Sequence, residues 1–516
     1  MAKRNRGGNS GGRSAAGEAG GAFGRMAGNS FPVPAGKKGG GGLFGVSWAS
    51  TLDQPLELDT AGVYFLSGDA TILKYPAALI PKVAFRPVEG PQWPLTLTPE
   101  GGYTITDPKL GRILHFPAPG EQHGWSQLPL TAITDRNGNR IDLVYEAQTL
   151  TEIRHSGGYR IAVKTTETSP GVRRVTELRL LIGDQNGPAE GLGLVLVRYG
   201  YDGTGHLTEV VNSSGRPLRF TYDAAGRLTG WHDRNDHWYR YAYDEQGRGI
   251  RATGSGNFLN ATLVYDPDGR KTVVTDSLGN STIYRFNEAL QVVAEIDPLG
   301  RETRSEWDRY DRLLSRTDPL GRTSRYGYDE HGNLTTITRP DGAQATLVYN
   351  ELDLPVQATD LSGQVWRQEY DQRGNLTGVT DPLGTTTTYA HGERGELTAV
   401  TDPLGHTTRV KSDAGGLPVS VTDPLGATTR YAHDAFGRPS DVTDPLGGVT
   451  QLGWTTEGRP AWRVLPDGAS ERWSYDPEGN QVEYIDAGGQ VTRTKSSLAI
   501  RRTARVRSSP RRALPT

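Results

Sequence analysis

Cysteine is absent from the 516 residues. That excludes a disulfide framework, a thiolate-held metal and a cysteine nucleophile. Phenylalanine occurs ten times against twenty-two tyrosines, so the aromatic surface is amphipathic and suits half-exposed sheets. Long apolar runs are missing too. The longest clean stretch, Leu194–Val197 within GLGLVLV, falls far short of the roughly 18 residues a membrane-spanning helix needs. No segment has the build of a signal peptide. Apolar residues make up 35%, below the about 45–50% usual for globular chains, a figure that also counts Gly. A basic body is also lacking. Net charge is −2, but residues 1–42 carry +6 and residues 493–516 carry +8, which leaves −16 on the segment between. An acidic body offers no basic face to neutralise phosphates, so nucleic acid is not an expected partner.

What the chain does have is turn formers, with 67 Gly and 32 Pro, and a period. The tetrapeptide DPLG begins at Asp297, Asp318, Asp381, Asp402, Asp423 and Asp444, always a multiple of 21 residues apart. Degenerate copies fill the gaps in phase: DSLG at Asp276, RPDG at Arg339, DLSG at Asp360, LPDG at Leu465 and DAGG at Asp486. NSSG at Asn212 and DRND at Asp233 keep the period, with one extra residue between Tyr243 and Tyr265, and DRNG at Asp135 is followed by Tyr145. Ten residues after each first motif lies a second, Tyr-Asp-x-x-Gly. It opens at Tyr201-Asp202, Tyr222-Asp223, Tyr243-Asp244, Tyr265-Asp266, Tyr328-Asp329, Tyr370-Asp371 and Tyr475-Asp476. Eleven of fourteen phased positions are Tyr, Phe or Trp, the exceptions being His391, Ser412 and His433. With aromatics at 8% of the chain, this spacing is not accidental.

Both motifs read as turns. In DPLG, Pro298 presets φ, the leading Asp bonds the backbone ahead of it, and Gly300, Gly321, Gly384, Gly405, Gly426 and Gly447 supply a positive φ. Between turns the residues alternate, so Thr429, Tyr431 and His433 share a face, as do Tyr241 and Tyr243, and Tyr326 and Tyr328. Six residues past the aromatic comes Leu (334, 376, 397) or Pro (355, 418, 439, 460), and three further on a Val or Ile. Three is the wrong step for a flat strand, which predicts a bulge or a strand start there. The fold class follows: all-β, two short strands and two turns per repeat, stacked into a long antiparallel sheet of some thirty strands that coils on itself.

Candidate chemistry is sparse. GNSGG (Gly8–Gly12) matches G-x-S-x-G but lies in a Gly/Ser tract without the strand-to-helix frame of a nucleophile elbow. The Asp residues recur at turns, which capping requires and catalysis does not. DRNGN (Asp135–Asn139) lacks EF-hand spacing, and His232 and His237 have no third ligand in view. The Tyr and Trp rows could stack sugars, but their fixed phase points to packing. No catalytic, cofactor or metal residue is assigned, and an enzyme is not expected.

On GRLTGWHD (226–233), YDEHGNLTTITRPDG (328–342) and YDQRGNLTGVTDPLG (370–384), the chain resembles the Rhs/YD-repeat family. LFGVSWASTLDQPLELD (43–59) looks like the region that precedes the repeats there. The resemblance implies a β-cocoon enclosing a toxin in contact-dependent bacterial competition. The implied partners are a toxin domain in cis, with an immunity protein or secretion machinery; cell-wall glycan is the partner that the carbohydrate-binding alternative would take. The resemblance also implies a secreted or cell-surface location, with cytoplasmic accumulation expected where a leader is missing. The expected division is a Gly-rich basic tail (1–42), a β-rich N-terminal domain (43–130), repeats (131–492) and a basic tail (493–516) that is disordered or out of frame. A self-cleaving segment and a toxin are not seen, so a truncated or frameshifted gene is expected. Three readings stay open: a toxin-shell fragment, a surface carbohydrate-binding array, and a gene remnant without function.

Overall fold

A computed structural model describes residues 42–45, 48–120, 127–169, 172–182 and 193–494. The expectations for the two tails, and GNSGG, lie almost wholly outside these residues. Among the described residues, strands of β-branched and aromatic residues dominate, and the one helical element is a 3-10 turn at Ser255–Asn257.

The two sequence motifs turn out to be one turn. In DPLG the Gly300 N–H bonds the Asp297 carbonyl (2.9 Å) and the Asp297 N–H bonds the Arg301 carbonyl (3.0 Å). In Tyr-Asp-x-x-Gly, Gly374 bonds Asp371 (3.0 Å) and Asp371 bonds Asn375 (2.9 Å) in the same pattern. Each is a three-residue hairpin loop ending in a left-handed residue, with φ +79° at Gly300 and +81° at Gly374. Both motifs thus reduce to Asp-x-x-Gly, and consecutive turns reverse the chain at opposite ends of the strands.

The hairpins differ in one respect. A six-residue strand such as Thr386–His391 leads into the aromatic turn and pairs with a five-residue strand such as Leu397–Thr401. The register slips between Ala390 and His391, so His391 faces Leu397 while Ala390 faces Ala399. This bulge recurs in most aromatic hairpins, and it is where Pro355, Pro418, Pro439 and Pro460 start their strands. It converts the three-residue step from Leu397 to Val400 into residues of one face.

Joined end to end, the hairpins make one antiparallel sheet of 38 strands, from Ala84–Phe85 to Val491–Arg493. Each strand pairs with its neighbours in sequence, and the first and last pair only inward, so the sheet is open. It also runs without a break through residue 130, since Arg112–Phe116 pairs with Ala132–Asp135. Right-handed twist coils so long a sheet into a helix of strands. Contacts far apart in sequence mark the coil. Asn137 and Asn375 exchange side-chain hydrogen bonds (2.9 Å each), Asn139 Nδ2 donates to the Arg394 carbonyl (3.0 Å), the Ser213 N–H reaches Glu457 (3.2 Å), and Asn235 donates to Asp476 (2.9 Å). Turns of one wrap therefore sit on aromatic turns of the next. Twenty-one strands separate the turns at Asp135 and Asp371, and 23 those at Asn212 and Thr455. At about 4.8 Å per strand, one wrap is roughly 33 Å across.

A small sheet of its own, Leu56–Asp59, Gly62–Leu66 and Ile72–Tyr75, fills part of this coil. Leu56, Phe65, Leu73 and Tyr75 are fully buried and cluster with Leu95, Ile105, Phe116, Leu143, Leu150, Ile153 and Val175. These partners come from one face of eight successive strands, which surrounds a single small sheet only if that face is concave. The backbone bridge between Leu56 and Leu128 (2.9 and 2.8 Å) and the Trp48 Nε1 donation to the Tyr222 hydroxyl (2.9 Å) tie the segment down.

The turns generate a paired prediction. Leu290 holds the left-handed place of its turn at φ +60°, where L-residues are disfavoured by roughly 1–2 kcal/mol, so Leu290→Gly should stabilise by about 1 kcal/mol. Gly384 has φ +84° and open space around its α-carbon, so Gly384→Ala should destabilise by about the same amount. Chemical denaturation of the two variants should show midpoint shifts of opposite sign.

Candidate functional site

The residues that distinguish this sheet lie on its concave face. The repeat aromatic and the residue two before it point the same way, and the Val or Ile of the partner strand stands opposite, as in Tyr389–Val400 and Tyr431–Val442. Past the reach of the N-terminal sheet these side chains, Leu263 and Tyr284 apart, are only half-buried.

Each repeat aromatic spans the hairpin that precedes it. The hydroxyls of Tyr222, Tyr243 and Tyr328 donate to the carbonyls of Leu207 (2.7 Å), Leu228 (2.6 Å) and Leu313 (3.0 Å), always fifteen residues back. Tyr349 and Tyr475 do the same to Leu334 (2.9 Å) and Pro460 (2.8 Å), and the outlying Tyr145 to Leu130 (3.1 Å). Tyr265 reaches back sixteen, to Gly249 (2.8 Å), across the extra residue. The acceptor is the carbonyl at the bulge, next to the interrupted ladder. The substitutions make sense on this basis. Trp307 and Trp454 supply indole N–H groups to Val292 (2.8 Å) and Pro439 (2.7 Å), and His391 Nε2 lies 2.8 Å from the Leu376 carbonyl. Phe286 has no donor and Ser412 is too short. Tyr370 turns its hydroxyl to Gln368 instead (2.8 Å), and Tyr201, at the head of the series, bonds Val175 (2.7 Å). Burial pushes the phenols of Tyr222, Tyr243, Tyr265, Tyr328 and Tyr475 above their ordinary range.

The turn aspartates hold the other end. One carboxylate oxygen accepts two backbone N–H groups: Asp297 those of Leu299 and Arg301 (2.9 Å each), Asp371 those of Arg373 (2.9 Å) and Asn375 (2.8 Å). Asp318, Asp381, Asp402, Asp423, Asp444, Asp202, Asp223 and Asp476 repeat this double bond, Asp244 and Asp329 show it to the fourth residue, and Asp266 bonds Gly269. Where the residue after the glycine carries a donor, as at Arg301, Arg322, Thr385 and His406, the second oxygen takes its side chain. In the aromatic turns that side chain does double duty. Arg312 Nε bonds Asp308 (2.6 Å) while its guanidinium lies 5.1 Å from the Tyr328 ring. Arg227 over Tyr243 and Arg248 over Tyr265 (4.9 Å each) follow suit, and His206 stacks on Tyr222 at 4.8 Å. Sequence reasoning passed over this position, although the recurrent Gly-Arg pair in GRLTG carries the signal.

The turn carboxylates are therefore engaged in structure, through both oxygens at Asp297, Asp318, Asp381 and Asp402. The Arg301 and Arg322 guanidinium bonds hold the Asp297 and Asp318 carboxyls below their ordinary range, as the Thr385 hydroxyl does for Asp381. Among the described residues no group of three or more His, Asp or Glu is placed to hold a metal ion. No helix among them is long and apolar enough to cross a membrane.

The RHS Repeat family matches residues 201–237, 286–323, 307–344, 349–382, 370–407 and 413–449. No curated protein matches the chain. Among solved structures, the chain is similar to TcdB2-TccC3 at 13% identity and a TM-score of 0.42, over 87% of this chain and 29% of that one. It is also similar to the Photorhabdus luminescens Tc holotoxin pore at 14% identity and a TM-score of 0.40, over 82% and 25%. The chain thus spans less than a third of the length of these structures.

Two predictions come from this network. Tyr328→Phe removes the hydroxyl bond to Leu313 and should cost about 1 kcal/mol, measured by denaturation, with the strand pattern unchanged by circular dichroism. Carboxyls held below their ordinary value contribute stability that is complete above the unfolded pKa of about 4 and is lost as pH falls through the lowered folded values. A thermal-unfolding series should accordingly show Tm level near pH 6 and dropping below about pH 4.

Proposed function

For this RHS-repeat chain, coiled as an open antiparallel sheet, we propose the role of a shell fragment that encloses a polypeptide cargo, a toxin domain in cis, for contact-dependent competition between bacteria. The observation that carries the reading is the concave face. Its aromatic and aliphatic rows are packed by the N-terminal sheet at one end and are only half-buried beyond it. A half-buried apolar lining suits an unfolded or apolar chain segment, which would cover it and be screened from solvent. The strand frame adds rigidity without chemistry of its own. Secretion, an immunity protein and further machinery belong to the same proposal.

The alternative, a sugar-stacking array, draws less support. Trp307 and Trp454 spend their indole N–H groups on backbone carbonyls and are wedged against the preceding hairpin. They are structural members of the sheet before they are platforms.

The test is protease protection. A reporter peptide of about 100 residues fused after Thr516 should survive trypsin at least about ten times longer than the free peptide. Equal rates for fused and free peptide would overturn the enclosure reading.

A further inference from the structure

The wraps of the coil dock through turns of one kind on turns of the other, and the docked tips are polar. At the two middle positions of the Asp-x-x-Gly turn they carry Arg136-Asn137, Ser213-Ser214 and Arg234-Asn235. Asn137, Ser213, Arg234 and Asn235 spend their polar groups on Asn375, Glu457, Glu478 and Asp476 of the wrap beyond. One wrap later the same two positions read Pro-Leu. Leu383, Leu404, Leu425 and Leu446 are 88, 81, 94 and 97% exposed, with Pro403, Pro424 and Pro445 exposed beside them. They are tips of consecutive turns on the same end of the strands, two strands and so about 10 Å apart. The result is an apolar ridge that follows the rim of the coil for about 30 Å.

We propose that this leucine ridge is a self-association surface, occupied by the ridge of a second copy of the chain. Three observations favour that occupant. The ridge continues an established seam but has lost the polar groups that let a tip dock on Asp- and Asn-bearing turns, so a like wrap does not match it. Its four Pro-Leu pairs expose on the order of 800 Å², close to what one partner contributes to a stable interface. A row of evenly spaced leucines is complementary to its own reverse, so a two-fold axis between Leu404 and Leu425 sets Leu383 against Leu446 and closes the assembly at two copies. Each ridge Asp has one oxygen bonded to two backbone N–H groups, which tempers the repulsion between facing rows. The same carboxylates disfavour an anionic membrane as the occupant.

The proposal does not depend on the cargo reading. Sedimentation of the full chain over a concentration series tests it. The wild type should be a dimer, and the quadruple variant Leu383→Ser, Leu404→Ser, Leu425→Ser, Leu446→Ser should dissociate at least about 100-fold more readily. Its circular dichroism should be unchanged, because these side chains support nothing in the fold. Val491→Pro, which removes an outward-facing N–H from the free edge strand Val491–Arg493, should leave the dimer intact. A wild type that stays monomeric throughout overturns the proposal. So does a dimer that survives the leucine substitutions, or one that the edge-strand change dissolves.

Discussion

In the recurrent turn of this sheet, most often built as Asp-x-x-Gly, a carboxylate accepts the N–H groups of the second and fourth residues after it, while the glycine between them takes a left-handed backbone. The remainder of the architecture depends on that small closed unit. It reverses the chain in three residues, so the strands on either side leave in fixed register. Repeated every ten or eleven residues, it leaves no choice of partner: each strand pairs with the one before and the one after. A 38-strand sheet assembled this way needs no long-range recognition to form its ladder.

The concave face then adds what local turns cannot. The aromatic at the start of each second turn reaches back fifteen residues to the carbonyl at the preceding bulge, and so links one hairpin to the next by side chain as well as by ladder. Most of the tyrosines, both tryptophans and His391 make the link, and Phe286 and Ser412 have no group that can, so the position favours a reach and a donor as well as an apolar ring. The Arg after the turn glycine completes the unit by pairing with the Asp and covering the next ring. Cap, cation and aromatic form a chain of contacts that advances by one repeat each time.

Coiling imposes a further constraint on the tips. Where one wrap lies on another, the turn tips meet and carry Asn, Ser and Arg; the exposed tips of the turns at Asp381, Asp402, Asp423 and Asp444 carry Pro and Leu. Turns with identical backbones therefore differ in composition according to what they touch. The N-terminal sheet is the second departure from repetition. It closes the concave face over eight strands and, among the described residues, builds the fully buried core there.

The repeat array was legible in the sequence because its determinants are local. Asp, Gly and Pro act on their own backbone neighbours, and a period of 21 states the strand length, the turn positions and the shared faces of residues such as Tyr326 and Tyr328. Even the bulge showed, in the step from Leu397 to Val400 and in the prolines that open strands. What only the tertiary structure decided involves residues far apart. The two long strands Arg160–Ser169 and Val172–Leu181 carry no repeat motif, yet they continue the sheet. The strands from Ala84 to Phe116 join the same sheet without a YD motif of their own. The contact of Asn137 with Asn375 depends on how many strands make one wrap, and the accumulated twist sets that number. No single residue encodes it, because each strand contributes only a few degrees of rotation and the coil is their sum.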